Sequence, residues 1–134
     1  MVAYNFQPEF ADKILSGVKY STIRPNGKRR HAQRGDWVQL YTGMRTKACT
    51  LLDTVQCVAC LPIEVHADRI VINGHQLPAD MLGDFARQEG FETIGNLTAW
   101  FDHRYGLPAL DMSIIYWNRG HGKNAAQGAE SGGP

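Results

Sequence analysis

The chain has 134 residues, of which 43% are hydrophobic and 20% charged, with a formal net charge of +1. This length and composition fit one ordinary globular domain with a single core. No segment approaches the roughly 20 apolar residues of a membrane-spanning helix, and the N-terminus lacks the pattern of an export signal, so we expect a cytoplasmic protein without a membrane partner.

The first third of the chain predicts a strand, a helix and two more strands. Residues 2–6 alternate and are rich in β-favouring side chains. A helix begins near Pro8 and ends at Gly17, because apolar residues from Phe10 to Val18 recur at helical spacing. Strands are predicted at 19–24 and 36–43, and a basic loop that opens on Pro-Asn-Gly separates them.

The rest of the chain predicts more strands and a helical pair. Residues 46–65 are long enough for one bent strand or two short ones, and a hairpin is expected around Asn73-Gly74. Helical spacing at 78–90 and 93–106 ends at a glycine in both cases. A last strand covers 112–117. The polar, glycine-rich residues 119–134 predict a flexible tail after a domain at 1–118.

This order of elements predicts an α+β fold. Short strands, with one helix after the first strand and a helical pair before the last, describe a small, partly closed mixed β-barrel plugged by helices. An open α+β sandwich is the alternative.

The three cysteines predict free thiols. An odd number in a chain of this size favours reduced side chains. Cys57 and Cys60 have metal or redox spacing, but strand alternation places them on opposite faces, and no second pair supplies further ligands. The five histidines also lack metal-ligand spacing. We therefore expect no metal and no cofactor.

Positive charge is concentrated in one segment. Residues 13–47 contain nine lysines and arginines and one acid, a net charge of +8, which leaves −7 for the remainder. Such asymmetry favours an electropositive face for nucleic acid or phosphate, although a solvated basic loop would have the same composition. The candidate nucleic-acid-binding residues are Lys28, Arg29, Arg30 and Arg34.

Three residues could perform acid–base and nucleophilic chemistry. A threonine hydroxyl such as that of Thr22 needs a base, and a lysine such as Lys19 can be one if burial or nearby cations lower its pKa. Strict alternation would separate these two side chains, so Lys19 must precede the regular strand. Glu89 has helical spacing toward the interior edge but sits at a helix C-terminus, where an anion is disfavoured. The alternatives stay open: Lys19 as a surface charge, Thr22 as a strand-forming residue, and Glu89 as an exposed residue at a frayed helix end.

A turn near Gly43 provides candidate ligand-binding residues. Arginine forks onto phosphate, lysine adds a point charge, and an aromatic ring can stack on a base. The candidate substrate-binding residues are Arg24, Tyr41, Arg45, Thr46 and Lys47.

Four motifs together resemble a known domain family. These are FADKILSGVKYSTIR at 10–24, GDWVQLYTG at 35–43, FARQEGF at 85–91 and LTAWFDHRYG at 97–106. They resemble the ASCH domain, a member of the PUA-like superfamily of small β-barrels associated with RNA. The resemblance covers about 2–117, and the Gly-x-Lys-x-x-Thr-Ile-Arg signature is its most specific part.

The resemblance implies a plugged barrel with a cleft for a nucleoside or RNA. In the bacterial branch with N(4)-acetylcytidine amidohydrolase activity, a lysine, a threonine and a downstream glutamate form the active site without a metal. By motif these are Lys19 as proton acceptor, Thr22 as nucleophile and Glu89 as proton donor. This chain departs from that branch in its longer basic loop, 25–34, and its extra hairpin near Asn73-Gly74.

Two functions follow from this. The first is an amidohydrolase acting on a modified nucleoside such as N(4)-acetylcytidine. The second is a non-catalytic RNA-binding module, and a ribonuclease is a further enzymatic alternative. The expected partner is therefore a modified nucleoside or RNA.

Overall fold

The computed structural model describes residues 1–118. They form a mixed α+β fold, as predicted; the predicted tail at 119–134 lies outside the described residues. The elements are β1 (Val2–Phe6), α1 (Ala11–Leu15), β2 (Ser21–Pro25), β3 (Trp37–Thr42), β4 (Thr50–Val65), β5 (Ile70–Ile72), β6 (His75–Gln76), α2 (Leu82–Gln88), α3 (Ile94–Tyr105) and β7 (Ala109–Trp117).

The first helix is shorter than its apolar pattern predicts. A 3₁₀ turn at Pro8–Phe10 leads into α1, and the chain leaves the helix through Gly17, whose φ is 85°. Phe10 and Ile14 are buried, but Leu15 and Val18 are 43% and 49% exposed. The predicted apolar face was therefore wrong at its end, because the glycine turn breaks the helical period before Val18.

The long strand β4 joins two parts of the sheet. Its first half pairs antiparallel with β3, which is itself parallel to β1. Its second half pairs antiparallel with β7, and β7 pairs with β2. Residues 50–65 are thus one strand, the first of the two forms predicted for this segment.

The sheet is not closed by strand pairing. Its order runs β1-β3-β4-β7-β2, and within residues 1–118 no ladder joins β1 to β2. A side chain connects the two edges instead, since Arg24 Nη2 donates to the carbonyl oxygen of Asn5 at 2.7 Å. The α+β class is confirmed, and the partly closed barrel stays a prediction, because strand pairing does not close the sheet.

The predicted hairpin is present. Asn73 and Gly74 have φ values of 53° and 80°, and they connect β5 to the short β6. Two consecutive positive φ angles are typical of the tight turns that Asn-Gly favours.

The two faces of β7 belong to two different cores. Ile115 packs in a first core with β1, β3 and α1, and the adjacent Ile114 packs in a second core with α2 and α3. Both side chains are fully buried. Because side chains alternate along a strand, one strand contributes to both cores.

The cysteines differ from their predicted arrangement. Cys57 is buried in the first core, and the half-buried Cys60 packs against the same core. A register shift between Cys57 and Ala59 explains this, because a bulge changes which side chains share a face. All three cysteines are free thiols, as predicted.

No helix within residues 1–118 combines the length and apolar character needed to cross a membrane.

Candidate active site

A small cleft lies where the two cores meet. Phe6 and Phe10 of the first core and Ile23 and Phe101 of the second line its walls. Its volume is about 70 Å³. This volume is well below the roughly 300–1,000 Å³ of common small-molecule sites, so the cleft holds a small group and not an entire nucleoside.

The α1–β2 connection places Lys19 in this cleft. The backbone N–H of Lys19 donates to Lys13 O at 2.9 Å, and β2 begins only at Ser21. Lys19 therefore precedes the regular pleat, and alternation does not separate it from Thr22. Both side chains line the cleft, and each residue is 4% exposed.

The Lys19 amine is held by carbonyl groups. Its Nζ donates to Ser21 O and to Glu89 O, both at 2.8 Å, and lies 3.6 Å from Glu89 Oε1. A neutral amine has two N–H donors, which these two carbonyls would use. Its lone pair would then be available to accept a proton.

Burial lowers the pKa of Lys19 from its usual value to about 8. The nearby Glu89 carboxylate opposes this change, and the positive charge of Arg24 adds to it. The net effect makes a neutral amine accessible near physiological pH, which is the state that a general base requires.

Arg24 is in contact with the Thr22 hydroxyl. Arg24 Nε donates to Thr22 Oγ1 at 3.0 Å, so the hydroxyl proton of Thr22 is left for another acceptor. The guanidinium lies against the ring of Phe6, and burial lowers the pKa of Arg24. Lys19 and Thr22 share the cleft but make no hydrogen bond with each other.

The carboxylate of Glu89 is buried at the end of α2. Glu89 is 2% exposed and lines the cleft, so the surface role left open for it is wrong. Ser21 Oγ donates to Glu89 Oε2 in a short hydrogen bond, and Oε1 faces the Lys19 amine. The next residue, Gly90, turns the chain away with a φ of 99°.

Sequence reasoning missed a polar network behind Glu89. Tyr20 Oη donates to Gln88 Oε1 at 3.0 Å, and Gln88 Nε2 donates to Ser21 Oγ at 3.0 Å. The hydroxyl of Ser21 then donates to Glu89, so the donors all point toward the carboxylate. The sequence shows that Ser21 is next to Thr22. It does not show that Ser21 contacts Glu89, because that contact is tertiary.

Sequence reasoning also missed one wall of the cleft, which α3 supplies. Trp100, Tyr105 and Arg104 line it, and the Arg104 guanidinium lies 5.1 Å from the centre of the Trp100 ring. Phe91 packs against Trp100 with ring centres 5.8 Å apart. The helical spacing of the aromatic residues predicted packing, and it did not indicate that part of this face stays accessible.

Four of the predicted substrate-binding residues do not line the cleft. Arg24 does, whereas Tyr41 in β3 and the turn residues Arg45, Thr46 and Lys47 do not. The turn contacts the cleft wall, because Met44 N donates to Asn5 Oδ1 at 2.9 Å. Tyr41 Oη instead donates to Gln39 Oε1.

The predicted nucleic-acid-binding residues lie mostly around a separate surface depression. Lys28, Arg29 and Arg30 line it, and Arg34 does not. Arg30 forms an exposed ion pair with Asp36 at 2.8 Å. Arg24 lines both cavities, so it stands between the depression and the cleft.

Within residues 1–118 no group of three or more His, Cys, Asp or Glu side chains is arranged to hold a metal. Comparisons with protein-family models, curated proteins and solved structures gave no match for this chain. We therefore infer function from the residues and geometry of the cleft.

Proposed function

We propose that this chain is an ASCH-type amidohydrolase with a PUA-like barrel fold that removes the acyl group from a modified nucleoside such as N(4)-acetylcytidine. The observation that carries the proposal is a buried lysine with its pKa lowered to about 8, in one cleft with a threonine hydroxyl and a buried carboxylate. Perturbed titratable groups that converge on a cavity are typical of active sites.

In the first half-reaction Thr22 Oγ attacks the acetyl carbonyl while neutral Lys19 takes the hydroxyl proton. The contact from Arg24 Nε stabilises negative charge on the threonine oxygen as that proton leaves. The Lys19 ammonium passes the proton to Glu89 Oε1, 3.6 Å away, and Glu89 delivers it to the leaving amino nitrogen. The C–N bond breaks, cytidine leaves, and the acetyl group stays on Thr22 as an ester.

In the second half-reaction a water molecule attacks the ester. Lys19 accepts a proton from the water, and the C–O bond to Thr22 breaks. The Lys19 ammonium returns that proton to Thr22 Oγ, and the acyl group leaves as acetic acid, which ionises to acetate in solution. One water is therefore consumed, and the three side chains return to their initial states.

Two neighbouring hydroxyls could be the nucleophile, and their environments favour Thr22. Ser21 is fully buried, and its proton is already donated to Glu89. Thr22 lines the cleft and accepts a hydrogen bond from Arg24, so its own proton is free to leave. Ser21 is assigned a supporting role, in which it orients Glu89.

The size of the cleft suits the acetamide end of an acetylated base. With a volume of about 70 Å³ it holds the acetamide end, while the base and ribose lie at the mouth, near Trp100, Arg104 and Tyr105. An aromatic ring at such a position can stack on a base at a gain of about 1–3 kcal/mol.

Two isosteric hydroxyl deletions test the assignment. Thr22→Val should lower kcat/KM for N(4)-acetylcytidine at least about a thousandfold, because the attacking atom is lost. Ser21→Ala should lower it about tenfold, because only the orientation of Glu89 is disturbed. The measurement is release of cytidine with time, with circular dichroism to confirm that both variants fold.

Thr22→Ser is the rescue variant, because it restores a hydroxyl at the same position and should recover a measurable part of the activity. Full activity of Thr22→Val would eliminate Thr22 as nucleophile. A larger loss in Ser21→Ala than in Thr22→Val would transfer the role to Ser21.

The alternative, a non-catalytic RNA-binding module, is favoured by the basic depression beside the cleft. In that case the wild-type protein would bind RNA with a strong salt dependence and would release no cytidine from the acetylated nucleoside.

A further inference from the structure

We propose that the depression beside the cleft binds phosphate, so that the substrate class is a phosphorylated nucleoside, either a mononucleotide or a nucleotide within RNA. This inference rests on the proposed function and adds to it the part of the ligand that the cleft does not hold. The lining includes Arg24, Lys28, Arg29, Arg30 and His31, and no lining residue is an acid.

The size of the two cavities fits this division. The cleft has a volume of about 70 Å³ and the depression about 330 Å³. Small-molecule sites commonly measure about 300–1,000 Å³, so the cleft alone is too small and the depression is large enough for a ligand group. A ligand whose acyl end fills the cleft must extend beyond it.

Arg24 is the physical link between the cavities. Its guanidinium carbon lies 4.8 Å from the centre of the Phe6 ring, which lines the cleft, and 5.2 Å from that of Tyr4, which lines the depression. Nε and Nη2 donate to Thr22 and Asn5, and the remaining nitrogen, Nη1, makes no hydrogen bond within residues 1–118. One charged group is thus next to both the nucleophile and the basic surface.

The loop that carries the cations is anchored to the fold. The ring of His31 bridges Tyr4 Oη at 2.9 Å and Pro25 O at 3.0 Å, and the N–H of the buried Ala32 donates to Tyr4 Oη. At the other end Asn26 N donates to Asp111 O at 3.0 Å. A solvated charge run would not need these contacts, whereas a binding site gains affinity from a fixed loop.

Lys28 and Arg29 are the cations best placed to meet a phosphate. Lys28 makes no hydrogen bond or ion pair with other residues in 1–118, and Arg29 makes one, from Nη2 to Ala3 O at 3.3 Å. Arg30 is already paired with Asp36. Lysine and arginine are the usual phosphate ligands, because both donate charge-assisted hydrogen bonds to phosphate oxygens.

The test compares kcat/KM for N(4)-acetylcytidine and for its 5′-monophosphate at low salt. We expect the wild type to prefer the nucleotide at least about tenfold. Lys28→Gln/Arg29→Gln should reduce this preference to about one, because the ligands of the phosphate are removed. Arg69→Gln/Arg87→Gln is the control; it removes the same charge from two arginines outside the depression and should keep the preference.

Equal kcat/KM values for nucleoside and nucleotide, or a preference that survives the Lys28/Arg29 change, would overturn the phosphate site while leaving the amidohydrolase intact. Hydrolysis of neither substrate would overturn the proposed function. In that event calorimetry with the same proteins compares the binding of cytidine 5′-monophosphate and of cytidine. Tighter binding of the monophosphate that is lost in Lys28→Gln/Arg29→Gln supports the phosphate site, and equal binding overturns it.

A third substrate separates the two sources of phosphate. A short RNA that contains one acetylated cytidine should be hydrolysed better than the mononucleotide if the depression binds the RNA backbone, and no better if it binds a terminal phosphate. An RNA substrate should also show a loss of affinity with rising salt that the mononucleotide shows less strongly.

Discussion

Lys19 has a chemical character that its local sequence does not determine. Its neighbours Val18 and Tyr20 do not fix its burial, and a lysine is ordinarily exposed. The fold instead packs the side chain between Phe6 and Phe10 and points the amine at two carbonyls. The resulting loss of hydration is the main reason for its lowered pKa.

This pKa predicts the pH dependence of the reaction. Lys19 accepts a proton only when it is neutral, and the neutral fraction rises as pH increases through its folded-state pKa of about 8. We therefore expect kcat/KM to increase from pH 7 to pH 9 and to level off above that. Thr22→Ser should keep the same inflection, because it leaves the lysine in place.

Lys19→Arg should lose the pH-dependent activity over the whole range, because a guanidinium stays charged at these pH values. The measurement is kcat/KM of the wild type in buffers of constant ionic strength. Values that stay constant between pH 6.5 and 9.5 would show that Lys19 is not the base.

At the level of elements, the proposed catalytic residues come from the ends of secondary structure. Lys19 precedes β2, Thr22 lies near its start, and Glu89 follows the last residue of α2. Glycines with positive φ, Gly17 and Gly90, produce the turns next to two of these residues. The position of the active groups therefore depends on how each element ends.

Gly90 is a turn position at which a side chain would collide with its neighbours. A Cβ there would lie 2.7 Å from Phe10 Cδ1 and 3.3 Å from Lys19 Cδ, and its φ of 99° is strained for any other residue. Gly90→Ala should therefore lower the free energy of unfolding by about 2–4 kcal/mol. The measurement is urea denaturation followed by circular dichroism.

Gly83→Ala is the matched control within α2. Its Cβ would meet no atom closer than 3.6 Å, and alanine is a better helix former than glycine. We expect no loss of stability, or a gain of up to about 1 kcal/mol. Equal destabilisation by the two changes would refute the close contact at Gly90.

For the whole molecule, the two cores should unfold together. β7 supplies Ile115 to the first core and Ile114 to the second, so neither core is complete without this strand. Ile114→Ala and Ile115→Ala should each cost about 2–5 kcal/mol and should shift one common transition.

Tryptophan fluorescence can report on each core separately. Trp117 lies in the first core, Trp100 packs against the second, and Trp37 is 52% exposed. Each isoleucine change is made in two backgrounds, one that retains only Trp117 and one that retains only Trp100. For each isoleucine change, the urea transitions measured in the two backgrounds should coincide. Two separated transitions would mean that the cores are independent.

The sequence by itself determined the elements and their order. Alternation, glycine stops and the Asn73-Gly74 turn are local signals, and the strands and helices follow them closely. The exposed end of α1 and the shared core of Cys57 and Cys60 were mispredicted, because a glycine turn and a bulge interrupt the period at those points.

Only the tertiary structure decided the environment of the candidate site. The burial of Glu89, its hydrogen bond from Ser21 and the position of Arg24 between two cavities join residues far apart in the chain. No periodic pattern encodes such contacts. The lowered pKa of Lys19 is also a tertiary effect, because its amine loses hydration only when Phe6, Phe10 and the end of α2 close around it.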